Sequence, residues 1–171
     1  SRRRAGLIAA LRRAIERDEL HLAYQPELRL ADGRIAAVEA LLRWDSAAHG
    51  SIAPDEFIPL AEETGLIVPV GEWVLDAACR TLAGWRRTGV DPRLKVSINV
   101  SALQLLRSEL PDAVAAALRR HGLPASALEL ELTESVLMDN AALAGDRLCA
   151  FRDLGISIAV DDFGTGYSSL S

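Results

Sequence analysis

No stretch of this 171-residue chain stays apolar for long enough to cross a membrane, and none has the layout of a signal peptide. The segment therefore reads as cytosolic, with no membrane contact of its own. Cysteine is scarce. Cys79 and Cys149 fall within helical patterns, far apart and without metal-ligand spacing, which leaves two buried free thiols in a reducing compartment. The three histidines, His21, His49 and His121, show no ligand spacing either and receive no role. Basic charge is outweighed: 19 Lys and Arg stand against 24 Asp and Glu, for a net charge of -5. That balance excludes a general binder of DNA or RNA, whose footprint is a basic patch. Arg2-Arg3-Arg4 is the only basic run and reads as a solvated leader or the end of an upstream linker. Internal repeats, low-complexity segments and inter-domain linkers are all missing.

What remains is an ordinary globular mixture, 50% apolar and 25% charged, long enough for one cored domain and short for two. From Gly6 to Arg17 the spacing of Leu7, Leu11 and Ile15 predicts an amphipathic helix. His21–Pro26 reads as a strand, and Ala31-Asp32-Gly33-Arg34 turns the chain into a second strand, Ile35–Trp44. So short a connection makes this pair antiparallel. Pro54 opens a helix that Gly65 closes, and a longer helix follows from about Gly71 to Thr88. Lys95–Val100 is a strand, Pro111–Arg120 a helix, Leu128–Thr133 a strand, Asn140–Leu154 a helix, and Ile156–Asp161 the last strand. Strands alternating with helices in this way form parallel α/β units, either an open doubly wound sheet or a (β/α) barrel.

Side-chain parity separates these two. An open sheet covered on both faces is apolar on both. Here Leu128, Leu130 and Leu132 hold one face of their strand while Glu129, Glu131 and Thr133 hold the other. Val96, Ile98 and Val100 leave Ser97 and Asn99 opposite. Ile158 and Val160 leave Ser157, Ala159 and Asp161 opposite, and Glu39 shares a face with Ala37, Leu41 and Arg43. One polar face per strand fits a barrel interior, and barrel active sites gather at the C-terminal rim from several strands. Glu39, Asn99, Glu131 and Asp161 would meet there. Three carboxylates and an amide form a hard, all-oxygen ligand set suited to Mg²⁺ or Mn²⁺ and not to zinc. Without a cation, each carboxylate pair would repel by roughly 4 kcal/mol at about 4 Å and an effective dielectric near 20. Asp162 adds enough charge for a second ion bridged by Asp161. Gly164-Thr165-Gly166, next to these acids, reads as a phosphate-approach or mobile loop. Arg43 can either fork onto a phosphate or pair with one of the acids. Asp162-Phe163-Gly164 also occurs in protein kinases, but no kinase glycine loop or catalytic loop precedes it.

The run Val38-Glu39-Ala40-Leu41-Leu42-Arg43-Trp44 resembles the signature of EAL domains, the bacterial cyclic di-GMP phosphodiesterases. The resemblance extends through Tyr24-Gln25-Pro26, Phe57–Gly65, Ser97-Ile98-Asn99-Val100-Ser101, Glu129–Ser135 and Asp161–Ser169, in order along nearly the whole chain. It implies a modified TIM-type (β/α) barrel with antiparallel first strands. It further implies that Glu39, Asn99, Glu131 and Asp161 bind one Mg²⁺ or Mn²⁺, that Asp161 and Asp162 bind a second, and that catalysis rests on Glu39, Asp161 and Asp162. Substrate binding would fall to Gln25 at a guanine, Arg43 at a phosphate, and Leu41. Glu134 would anchor the 162–169 loop, which in the family links the metal site to dimerisation. Cyclic di-GMP would be hydrolysed to linear 5′-pGpG in a domain that is a homodimer when complete.

One departure is large. A complete barrel takes about 250 residues, so residues 1–171 are expected to be an EAL domain truncated on its C-terminal side, the N-terminal two-thirds of the barrel. The later strand lysine and the glutamate ligand of the second ion are absent here, and the last strand would be a bare edge. Two alternatives to a phosphodiesterase stand. One is a catalytically inactive cyclic di-GMP receptor, although such members usually lose metal ligands and none is lost here. The other is an inactive fragment acting through protein partners. Family members often sit in multidomain proteins, some of them membrane-anchored.

Overall fold

The computed structural model describes residues 1–107 and 109–161. Its first helix, α1 (Arg2–Ala14), is capped by Ser1, whose Oγ accepts from the Arg4 amide. The arginine run is thus the first turn of a helix and not a free leader. Arg3 pairs with Glu56 at 2.8 Å, and Arg4 pairs with Glu63. Strands β1 (Leu20–Leu28) and β2 (Ile35–Ser46) form the expected antiparallel hairpin. Its turn depends on Gly33 at φ 67° and on Asp32 Oδ1, which accepts from the Arg34 amide at 3.1 Å. A three-residue strand, β3 (Gly50–Ile52), also pairs with β2. Sequence patterning misses it because three residues hold too little alternation to read.

Helix α2 (Pro54–Thr64) begins on a proline and ends on Gly65 in the left-handed conformation, as expected. Helix α3 (Ile67–Arg87) starts four residues before the expected Gly71. Pro69 makes that turn look non-helical, but proline is tolerated in a first turn, where amides lack helical partners anyway. Beyond it come β4 (Lys95–Asn99), the single turn α4 (Ala102–Leu105), α5 (Leu110–Arg120) and β5 (Leu128–Leu132). The expected helix from Asn140 is preceded by a separate one. Helix α6 (Glu134–Asp139) breaks at Asn140 before α7 (Ala141–Leu154), and β6 (Ser157–Val160) ends the described sheet.

The strand order is β1-β2-β4-β5-β6, with β3 beside β2; every pairing from β2 through β4 and β5 to β6 is parallel. Among the described residues, β1 and β6 are the two edges. Parity assigns the faces. Val38, Ala40 and Trp44 of β2, Val96 and Ile98 of β4, and Leu128, Leu130 and Leu132 of β5 enter one apolar core with Leu7, Phe57, Val74 and Leu82 from the helices. Burying side chains of this size stabilises by about 1.5–3 kcal/mol each. Trp44 anchors the core: its ring meets Phe57 edge-on at 5.5 Å, and its Nε1 donates to the buried Glu19 carboxylate at 3.0 Å. With the apolar side chains taken up by helices, the alternate side chains of the same strands are left on the inner face.

Just past β4, Ser101 and Gln104 form a capping box: the Gln104 amide donates to Ser101 Oγ at 3.3 Å and the Ser101 amide donates to Gln104 Oε1 at 3.0 Å. Gly71 of α3 lies against that Gln104 side chain, where an added methyl would overlap it. Gly71→Ala should therefore break the box and lower stability by about 1–3 kcal/mol. Denaturant unfolding would measure this, and unchanged stability would show that Gln104 moves aside freely.

Candidate active site

Five strands, β1, β2, β4, β5 and β6, deliver side chains to one place on the inner face. Asn99 stands beside Glu131 in the β4–β5 register, and Glu131 beside Ala159 in the β5–β6 register. Asn99 Nδ2 donates to Glu39 Oε1 at 3.2 Å, joining β4 to β2. Asp161 follows β6 directly, fixed by its amide donating to the Leu132 carbonyl at 2.8 Å. Glu39, Glu131 and Asp161 line a cavity of about 200 Å³ together with Glu27, Ala159 and Val160. A polar layer lies next to it: the fully buried Ser97 donates to Glu129 at 3.1 Å, and Lys95 Nζ donates to Ser157 Oγ at 3.2 Å.

An adjoining cavity of about 330 Å³ shares Asn99 and Glu131 with the polar site and has apolar walls that include Leu41, Ile58, Val70 and Val74. Glu62 lines it as well, its carboxyl raised above the ordinary range by burial. An apolar recess opening onto convergent polar groups is the usual form of a small-molecule site.

The acids strongly perturb one another. Burial pushes the Glu131 carboxyl up to about 9, helped by its hydrogen bond to Glu39 and by the charges of Glu39 and Glu27. Glu27 is raised too, first by burial and then by the charges of Glu39 and Glu129, with a hydrogen bond to Glu131 opposing the shift. Glu39 is only 6% exposed. A divalent cation fits this donor set: among the described residues every charged group lining the cavity is a hard oxygen donor, and the cation's charge would reverse the penalty that keeps Glu131 protonated. Asn99, with its amide nitrogen engaged by Glu39, would offer its amide oxygen.

Of the residues singled out in the sequence, the structure brings together Glu39, Asn99, Glu131 and Asp161. Leu41 is buried in the wall of the adjoining cavity. Gln25 pairs with Glu39 across the hairpin and is exposed. Arg43 lines neither cavity; it donates to the Leu42 carbonyl at 3.1 Å, and among the described residues no ion pair joins it to the acids. Glu134 is the first residue of α6 and is half-buried. Asp162 and the 162–169 loop that Glu134 would anchor lie outside the described residues.

Sequence reasoning misses Glu27 and gives Glu129 no role. Glu27 escapes because Pro26 looks like a strand end, whereas an edge strand accepts proline and β1 continues to Leu28. Glu129 has the right parity but lies two residues deeper than Glu131. A further correction concerns Cys149, which is exposed on α7, a helix with little sidedness; Cys79 is buried as expected, its thiol pushed up to about 12 by burial and the Asp76 charge, and so inert. His121 contacts Asp76 at 2.8 Å and His21 contacts Asp45 at 3.4 Å, and no histidine lines either cavity. No described helix is long and apolar enough to cross a membrane.

A mixed sheet that starts antiparallel, continues parallel and gathers acids on its inner face defines a class: the chain belongs to the EAL domain family, which matches it over residues 8–171. It is 48% identical over 164 residues to the bifunctional diguanylate cyclase/cyclic di-GMP phosphodiesterase MucR of Pseudomonas aeruginosa, covering 96% of this chain and 24% of MucR. It is 47% identical over 161 residues to the cyclic di-GMP phosphodiesterase NbdA of the same organism, covering 94% of this chain and 20% of NbdA. A solved MucR phosphodiesterase in complex with c-di-GMP superimposes with a TM-score of 0.89, covering 96% of this chain and 66% of that one. The chain thus spans about a quarter or less of the length of these curated relatives. Its open sheet is the matching part of the TIM-like EAL barrel.

Protonation of Glu131 has a consequence for stability. In the folded, cation-free protein Glu131 keeps its proton up to about pH 9, while the unfolded chain releases it in the ordinary carboxylate range. The folded state holds the extra proton between those values, so stability is full below that range and declines as pH rises towards 9. With metal chelated, the melting temperature should fall from about pH 5 to about pH 9, and Glu131→Gln should flatten the decline. A melting temperature that rises over that interval would contradict this.

Proposed function

We propose that this domain hydrolyses cyclic di-GMP to linear 5′-pGpG with Mg²⁺ or Mn²⁺ as cofactor. The observation that carries the reading is the convergence of Glu39, Asn99, Glu131 and Asp161 on one site whose neighbour is an apolar recess. The cyclic di-GMP phosphodiesterase relatives support it. Glu39, Asn99, Glu131 and Asp161 would hold one ion, and Asp161 with Asp162 a second. A bound divalent cation supplies positive charge that polarises a phosphoryl oxygen and acidifies water.

The chain's own residues do the rest. Asn99 holds one oxygen of Glu39, which helps to aim its carboxylate into the cavity. Leu41 and the other apolar walls exclude water from the recess and offer a surface for a guanine face. Gln25 would contact a guanine edge and Arg43 a phosphate, the latter by swinging away from the Leu42 carbonyl. Glu134 would hold the loop after Asp161. Water adds to one phosphorus, a phosphodiester bond breaks, and the ring opens to the linear dinucleotide. The two unpaired cysteines suit a reducing cytoplasm as the place of action.

Protein containing this chain, incubated with cyclic di-GMP and Mn²⁺, should release 5′-pGpG detectable by chromatography. Glu39→Gln should lower the rate by at least about a hundredfold, the scale for removing one electrostatic stabiliser. Full activity in Glu39→Gln would remove the assignment. Nucleotide binding without turnover in the parent would make the domain a receptor.

A further inference from the structure

Glu27 belongs to none of the motifs that identify the family, yet the fold carries its carboxyl into the acid cavity. Gln25 faces Glu39 across the hairpin and Glu27 faces Ala37, so Glu27 lies one diagonal step from Glu39 on the same inner face. Its carboxylate oxygen lies within 4.8 Å of those of Glu129 and Glu131. It lines the same cavity as Glu39, Glu131 and Asp161, and among the described residues no Lys or Arg lines that cavity. At this half-buried place Glu27 meets the like charges of Glu39 and Glu129, against which its hydrogen bond with Glu131 is a partial offset.

We propose that Glu27 is a further carboxylate of the divalent-cation centre, reaching it from β1 while Asp161 reaches it from the end of the chain's passage along β6. The inference rests on the cation reading above. It also deepens that reading: β1 and β6 are the two edges of the described sheet, so a cation held by both ties opposite edges together. Affinity in oxygen-ligated sites rises with the number of charged ligands, so Glu27 would set how tightly the ion is held.

The test uses Mn²⁺ alone, its binding followed by electron paramagnetic resonance and calorimetry, with melting temperatures measured in chelator and in Mn²⁺. Three proteins are compared: the parent, Glu27→Gln and Glu39→Gln. Glu27→Gln should weaken Mn²⁺ binding by about 10–100-fold, the range for removing a residue that supports a metal site. It should leave the cation-free melting temperature equal or higher, because a repelling charge is gone, and should shrink the Mn²⁺-induced rise. Glu27→Asp should recover part of the affinity. Unchanged affinity in Glu27→Gln, with Glu39→Gln impaired, would overturn the role of Glu27 and leave the centre standing. A lowered cation-free melting temperature at unchanged affinity would assign Glu27 to structure and overturn the role as well. A parent that binds no Mn²⁺ would sink the centre itself, and the part of Glu27 with it.

Discussion

Repulsion among carboxylates held out of water is the constraint on which the rest of this domain depends. Glu27, Glu39, Glu131 and Asp161 line one small cavity, and Glu131 responds by keeping its proton well above the usual carboxylate range. Carboxylates crowded in this way oppose folding unless something is gained from them. The helices on the other face supply the compensation within the chain, since the strands that carry acids inward carry leucine, valine, isoleucine and tryptophan outward into a continuous core. A divalent cation would supply the compensation within the site. The same interaction that strains the cation-free protein would then hold the ion.

Precision in the site comes from backbone pairing. Parallel registers set Asn99 beside Glu131 and Glu131 beside Ala159, so Asn99 and Glu131 are placed by a ladder of hydrogen bonds and not by a loop. The capping box after β4 and the glycine of α3 that fits against it extend this control to the chain just beyond Asn99. Sites on rigid strands hold geometry better than sites on loops, which would suit the proposed hydrolysis, where charge must be placed where it develops.

Much of this arrangement is legible in the amino-acid sequence. Period-two alternation in Leu128–Thr133 and Lys95–Val100 marks the inner faces, because a polar residue at every second position of an otherwise apolar strand separates one face from the other. Asp32-Gly33 marks the antiparallel start. What escapes the sequence does so for physical reasons. Pro26 ordinarily ends a strand, and only the edge position of β1 lets the strand run on to place Glu27. Pro69 hides the first turn of α3 because a proline there costs little. The exposure of Cys149 follows from tertiary packing that α7, a helix with little sidedness, does not reveal. The convergence of Glu39, Asn99, Glu131 and Asp161 is readable as parity, but the adjoining apolar recess, assembled from β2, α2, α3 and the chain after β4, is not.

The central claim is that these inner-face oxygens form a divalent-cation centre. Anomalous diffraction from crystals grown with Mn²⁺ tests it most directly. A peak is expected roughly 2 Å from oxygens of Glu39, Asn99, Glu131 and Asp161. A well-ordered cavity without a peak, or Mn²⁺ bound only at surface carboxylates elsewhere, would contradict it.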